Sequence, residues 1–298
     1  MDWLATAAGG ALVLLVLRDI FHTLGHPEGQ GSLSRFVLST LWRLSRLRGG
    51  RGRLARLAGP LALLAVIIMW GTLAVAGWAL LYWPSVPAGF VYASGPVEGG
   101  TNPVLDALYL SMVTMSTLGF GDIVPAAGWL RIATPLEALF GFALLTVAVS
   151  WVLQIYPALT RRRVLAIRLS SLRRADVLAG LPNADSALLP TVLERLSTDI
   201  IQAQVDLSEY SETYYFRDDD PDSSLAAALP YAAELARIGA TSSRPDMRLA
   251  ANLLNRALED FAGVLKDRFQ HSGLTMSEVL AAYANDHRHP PANGQNHQ

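Results

Sequence analysis

The chain contains no cysteine. Disulfides and thiolate metal centres are therefore excluded, which fits a reducing compartment or a lineage that avoids thiols. Charge is also scarce: 16% of residues are charged against 51% hydrophobic, a balance that points away from an ordinary soluble protein and toward a membrane chain with a soluble part. The net charge of -1 hides an asymmetry, with arginine collected in one early linker and acidic residues in the last third. No nucleic-acid footprint follows from this. Missing too are a G-x-G-x-x-G after a strand pattern, a nucleophile elbow, a P-loop and a metalloprotease helix. Neither a catalytic site nor a cofactor is implied.

What is present is a series of long apolar runs. From Trp3 to Leu24 an apolar segment extends for about 22 residues, or roughly 33 Å, enough to cross a bilayer. Arg18 and Asp19 interrupt it near one end, where an ion pair or an arginine snorkelling to the headgroups is expected. Met1-Asp2 lacks the basic flank of a secretory signal, so this is read as an uncleaved span with its N-terminus outside. Residues 25–58 follow, rich in arginine (Arg35, Arg43, Arg46, Arg48, Arg51, Arg53, Arg56) and without an acidic residue after Glu28. The positive-inside rule makes them cytoplasmic. Within this linker Leu33, Phe36, Val37, Leu41, Leu44 and Leu47 recur at helical spacing, as in a helix lying on anionic lipid. Gly49-Gly50-Arg51-Gly52 breaks it. His22 and His26, four apart beside Glu28, could share a helix face, either as an interfacial cap or as part of a zinc site.

A second span runs from Pro60 to the interfacial pair Tyr82-Trp83, and the loop from Pro84 to Thr101 carries no lysine or arginine, as an external loop should. Asn102 caps the next helix with Pro103 at its first position. That helix reaches only to about Ser116, roughly 20 Å, and so enters the membrane without crossing it. Arg131 marks the outer end of a third span, about 132–156. Arg161, Arg162 and Arg163 place its far end inside.

Between the short helix and the third span lies Thr114-Met115-Ser116-Thr117-Leu118-Gly119-Phe120-Gly121-Asp122. A chain that strips a cation of water must aim successive carbonyls at one axis, which requires alternating right- and left-handed residues. Gly119 and Gly121 supply permissive positions two apart, Thr117 offers a hydroxyl at the inner mouth, and Asp122 a negative charge at the outer mouth. The stretch resembles the tetrameric potassium channels, whose signature is Thr-Val-Gly-Tyr-Gly-Asp. Residues 60–157 carry that resemblance well, with Leu118 in place of valine and Phe120 in place of tyrosine.

The resemblance implies an all-α membrane protein: a pore of two transmembrane helices with a re-entrant pore helix and filter loop (59–157), an added N-terminal transmembrane helix (1–24), and a basic linker with an interfacial helix (25–58). A cytoplasmic helical domain (158–286) and a disordered tail (287–298) complete the division. It further implies a homotetramer passing potassium through the carbonyls of Thr117, Leu118, Gly119, Phe120 and Gly121, with no cofactor beyond the permeant ion. Gly141 falls where such channels carry a gating-hinge glycine, and a close-packing role is equally open. Leu145, Val149 and Leu153 are expected to line the inner cavity and gate.

Filter support is assigned to Asp122, Tyr109 and Glu137. Many such channels brace the filter with a pore-helix acid where this chain has Val113. Glu137, inside the third span, is expected to replace it by bonding Ser111, Thr114 or Tyr109. The alternative is a carboxylate reaching external water or pairing with Arg131. Two other functions stand beside a potassium channel: a weakly selective cation channel, and a membrane-anchored sensor or scaffold with a vestigial pore. The C-terminal part is expected to form helices at 164–179, 186–213, 223–239, 245–269 and 275–285, with Leu249, Leu253, Ala257, Phe261 and Leu265 on one face. Tyr214-Tyr215-Phe216 is expected in its core and Asp218 to Asp222 in a solvated turn. Its ligand or protein partner is not named by any motif.

Overall fold

The structure, a computed structural model, describes residues 2–25, 31–47, 57–93, 102–180, 188–269 and 275–289. Its contacts divide the chain into two units, residues 1–44 with 60–153, and residues 45–59 with 154–298.

In the first unit α1 (Asp2–Gly25), α2 (Ser32–Leu47) and α3 (Ala58–Tyr82) precede a 3-10 turn at Trp83–Ser85 and a short strand β1 (Phe90–Tyr92). Then come α4 (Pro103–Met115), β2 (Ile123–Pro125) and α5 (Leu130–Arg174). α1, α3 and α5 are each long and apolar enough to cross a membrane, and α4 is apolar but shorter. α4 begins where its sequence dictates: the Asn102 side chain accepts from Val104 N at 3.1 Å, and Pro103 follows at the first turn. A core of Val13, Trp78, Ala79, Tyr82, Phe90, Ala107, Leu110 and Leu130 joins α1, α3, β1, α4 and the start of α5. α1 lies against α3 backbone to backbone, since a methyl on Gly9 would overlap the Gly77 carbonyl.

Two features of this unit depart from expectation. Asp19 does not pair with its neighbour Arg18, which is exposed; the carboxylate turns inward and is 3% exposed. It accepts hydrogen bonds from Leu33 N (2.9 Å), Ser34 N (3.2 Å), Ser34 Oγ (2.6 Å) and Trp70 Nε1 (2.9 Å). Free amides at the start of α2 and an indole of α3 outcompete a partner that water already solvates. Second, the buried face of α2 is Ser34, Leu38 and Trp42, while Phe36 and Leu44 are exposed beside Arg35 and Arg43. The remainder of the basic linker, with the glycine break and the His26 and Glu28 positions, lies outside the described residues.

The second unit takes α5 beyond Leu153. The helix runs on to Arg174 without the break expected near 157–163, because the arginines there favour helix and each finds a carboxylate. α6 (Val177–Gly180), α7 (Leu188–Glu209), a 3-10 turn at Ser211–Tyr215, α8 (Leu225–Gly239), α9 (Pro245–Phe269) and α10 (Met276–Asp286) complete the chain. α9 packs on α7, α8 and α10, burying Met247, Ala251, Leu254, Leu258, Phe261 and Leu265. Leu249 and Leu253 are exposed instead of buried. A strict four-residue repeat drifts by about 40° per step around a 3.6-residue helix, so the far end of that expected face rotates off the core.

Tyr214, Tyr215 and Phe216 are buried, Tyr214 stacking on Phe269 at 3.7 Å. The acidic turn is not simply solvated. Asp218 pairs with Arg162 (3.2 Å) and Arg163 (2.7 Å), Asp222 with Arg173 (3.0 Å) and Arg174 (2.5 Å), and Asp206 with Arg161 (2.7 Å). His287 does not open a disordered tail. His287 is buried between Tyr214 and Tyr283, with Nε2 at 2.8 Å from the Tyr214 carbonyl; residues 290–298 lie outside the described residues.

Candidate functional site: the loop between the short helix and the third span

α4 ends at Met115, and its last turn hands the chain directly to the loop. Ser116 N donates to Met112 O (3.0 Å), Thr117 N to Thr114 O (2.9 Å) and Leu118 N to Val113 O (3.0 Å). The carbonyl end of a helix carries partial negative charge, so the loop starts from a surface that favours a cation. Thr117, Gly119 and Gly121 then have φ of 56°, 56° and 74°. Leu118 and Phe120 between them do not. Positive and negative φ thus alternate along five positions, and both glycines sit where only glycine is unstrained. Thr117 is the surprise: a β-branched residue at positive φ is strained, and nothing in its residue type signals it.

The outer end of the loop is tied down on two sides. Tyr109 of α4 donates its hydroxyl to Asp122 Oδ2 at 2.6 Å. β2 pairs antiparallel with β1 in the register Phe90↔Pro125, Val91↔Val124 and Tyr92↔Ile123, and Ala93 N donates to Asp122 O at 2.9 Å. Tyr92 in turn bonds Asp106 at 2.9 Å, and burial together with that hydrogen bond pushes its phenol up to about 12. The two strands escaped sequence reading because each is three residues long and their partners lie more than thirty positions apart.

Behind the loop, Glu137 is fully buried. Its Oε1 accepts from Ser111 Oγ at 2.5 Å and its Oε2 from Tyr82 Oη at 2.7 Å. Of the three partners offered by sequence, Ser111 is used, Tyr109 is committed to Asp122, and Thr114 is not among the hydrogen bonds of Glu137. Tyr82, on the other helix of the pore pair, was missed because it reads locally as an interfacial aromatic. Arg131, the alternative partner, donates to the Pro125 carbonyl (3.5 Å). Ser111 Oγ also lies 3.0 Å from Val75 O, so one carboxylate and one hydroxyl join α3, α4 and α5.

Gly141 touches α4, since a methyl there would overlap the Met115 carbonyl. Leu145, Val149 and Leu153 are exposed on one side of α5, as are Leu118 and Phe120 in the loop.

Residues 66–156 match the family described as "Ion channel". Over these residues the chain is similar to ion channels. That family is one of ion channels and not of enzymes. The chain is 28% identical over 154 residues, 51% of its length and 44% of the relative's, to the uncharacterized membrane protein YdjJ of Bacillus subtilis. It is 48% identical over 52 residues to two-pore potassium channel 5 of Arabidopsis thaliana, covering 17% of this chain and 13% of that one. It is 36% identical over 78 residues to two pore potassium channel c of Oryza sativa, covering 26% and 16%. The chain thus spans less than half the length of each of these curated relatives. No solved structure matches. With three helices long and apolar enough to cross a membrane and a membrane protein among its relatives, the chain is a membrane protein built on apolar helices.

Proposed function

We propose that four copies of this chain form a potassium-selective channel that carries the ion passively across the cell membrane, with Thr117, Leu118, Gly119, Phe120 and Gly121 as its filter. One observation carries this reading. The alternation of handedness at Thr117, Gly119 and Gly121 is what turns successive carbonyls of an extended strand toward one side, where they can replace the hydration shell of a monovalent cation. One such strand supplies only one side of each carbonyl ring, hence the four copies. The exposed Leu118, Phe120, Leu145, Val149 and Leu153 supply apolar surface for that assembly and for the inner cavity and gate. Potassium is the substrate and no cofactor is required.

In this reading the N-terminus is outside, the second unit is cytoplasmic, and the Arg35 and Arg43 face of α2 lies on anionic lipid. The domain division is the one drawn from sequence, with His287 to His289 belonging to the helical domain. Gly141 acts as a packing point, and a hinge at the same place is compatible with it.

The absence of a tyrosine hydroxyl at Phe120 favours a second reading, a weakly selective cation channel. The purified chain in liposomes, loaded with potassium and exposed to sodium, should pass potassium and give a reversal potential near the potassium equilibrium value. A reversal potential near zero would select the second reading, and no current under any gradient would end both.

A further inference from the structure

The minimal pore of this family needs two transmembrane helices and a loop, so α1 is extra to it. Its packing says what it is for. Asp19 of α1 accepts from the first free amides of α2, from Ser34 Oγ and from Trp70 Nε1 of α3. Thr23, one turn on, donates to Ser34 Oγ at 3.2 Å and accepts from Gly31 N at 3.1 Å. Gly31 itself is seated against Asp19, with no room for a methyl. Trp70 is fully buried and its ring lies 5.4 Å from that of Trp151 on α5, also buried. Trp151 stands between Val149 and Leu153, the two lowest residues proposed to line the gate. A line of buried contacts therefore runs from the interfacial helix through one carboxylate and two indoles to the wall of the inner pore.

We infer that Asp19 is a positioning residue for the gate: through Trp70 it fixes where Trp151 sits, and so sets the balance between closed and open arrangements of α5. This rests on the channel reading given above. A buried carboxylate is costly without partners and held hard by four hydrogen bonds, whereas two indoles in tilted contact, 37° apart, have no directional bond between them and can shift at little cost. Asp19 is thus the fixed end of the linkage and the Trp70 to Trp151 contact its movable end. Any splaying of α5 must shift Trp151 against a Trp70 that the carboxylate holds, so the bond biases one state over the other.

The test is single-channel recording of the full chain in planar bilayers. Trp70→Phe keeps an aromatic ring and removes the N–H, and Asp19→Asn keeps the shape and removes the charge. Each should change open probability by about tenfold, the ratio that one lost charge-assisted hydrogen bond produces. Unitary conductance and reversal potential, set by the distant filter, should not move. The double variant should differ from either single by much less than the product of the two effects, because both act on the same bond, Asp19→Asn by removing its charge and Trp70→Phe by removing its donor. Should Asp19→Asn fail to assemble, Trp70→Phe alone decides. Unchanged open probability in a conducting Trp70→Phe channel overturns the inference while leaving the channel reading intact. A conductance that falls in step with open probability overturns it too, since that marks a general loss of structure. Absence of current in the wild-type chain removes the channel reading and the inference with it.

Discussion

Single residues carry the site through backbone handedness and through buried hydrogen bonds. Gly121 has φ of 74°, and a methyl built on it meets nothing within 4 Å in the single chain. The obstacle to alanine is therefore conformational and not steric, about 1–2 kcal/mol against the left-handed state. That is too little to unfold the chain and enough to swing one carbonyl off the axis. Gly121→Ala should still assemble, judged by size-exclusion chromatography, while potassium flux in liposomes falls to background; flux at the wild-type rate removes the filter assignment. Glu137 poses the complementary case. Glu137→Ala leaves the buried Tyr82 hydroxyl without its acceptor, while Ser111 can turn to the Val75 carbonyl, at a cost of about 1–3 kcal/mol beyond the cavity left behind. The amide of the Glu137→Gln variant can donate to Ser111 and accept from Tyr82, which also frees the Ser111 proton for the Val75 carbonyl. We expect a clear drop in detergent melting temperature and in flux for the alanine variant, and near wild-type values for the glutamine variant. Equal behaviour of the two would show that the carboxyl braces nothing.

At the scale of elements, what could be read in advance was what depends on nearest neighbours. The apolar lengths of α1, α3 and α5, the Asn102-Pro103 start of α4 and the paired glycines are all local signals. Asp19 was not legible, because its partners stand up to 51 positions away and its neighbour Arg18 offered a simpler account. Tyr82 and the β1-β2 pair failed for the same reason, and Leu249 and Leu253 because a pattern of fours approximates a helix only over two turns. His287 was hidden by the polar composition that follows it. Burial pushes its imidazole down to about 4, helped by the Arg162 charge and opposed by the Tyr214 and Tyr283 carbonyls. The folded state thus holds a neutral ring where the unfolded chain takes a proton near pH 6.5. Its contribution is whole above pH 6.5 and is lost as pH falls from there toward 4, by about 3 kcal/mol across the window. Hydrogen exchange of α10, corrected for intrinsic rates, should accelerate between pH 7 and 5 in the wild-type chain. The Glu278 and Thr275 cap at the start of α10 does not depend on His287, so a His287→Gln variant should show a flatter profile. An identical pH response in that variant would assign the effect to another group.

For the whole molecule, the decisive quantity is the number of chains that one pore needs. In the proposed filter one strand supplies only one side of each carbonyl ring, and Leu118 and Phe120 of the loop and Leu145, Val149 and Leu153 of α5 are exposed in the single chain. Closed rotational symmetry lets other copies cover such residues and brings the strands around one axis. In the proposed tetramer each carbonyl ring would depend on every chain, because one misdirected oxygen leaves the ion short of a ligand. Mixing wild-type and Gly121→Ala chains before assembly therefore gives a count. If one altered chain silences a pore, flux should fall as the fourth power of the wild-type fraction, to about 6% at equal mixture. A linear fall, to about half, would mean that each chain conducts alone, and a square law that two chains suffice. The readout needs equal assembly of both chains, checked by tagging each and recovering mixed complexes, and it distinguishes a shared central pore from any arrangement in which the loop serves a single subunit.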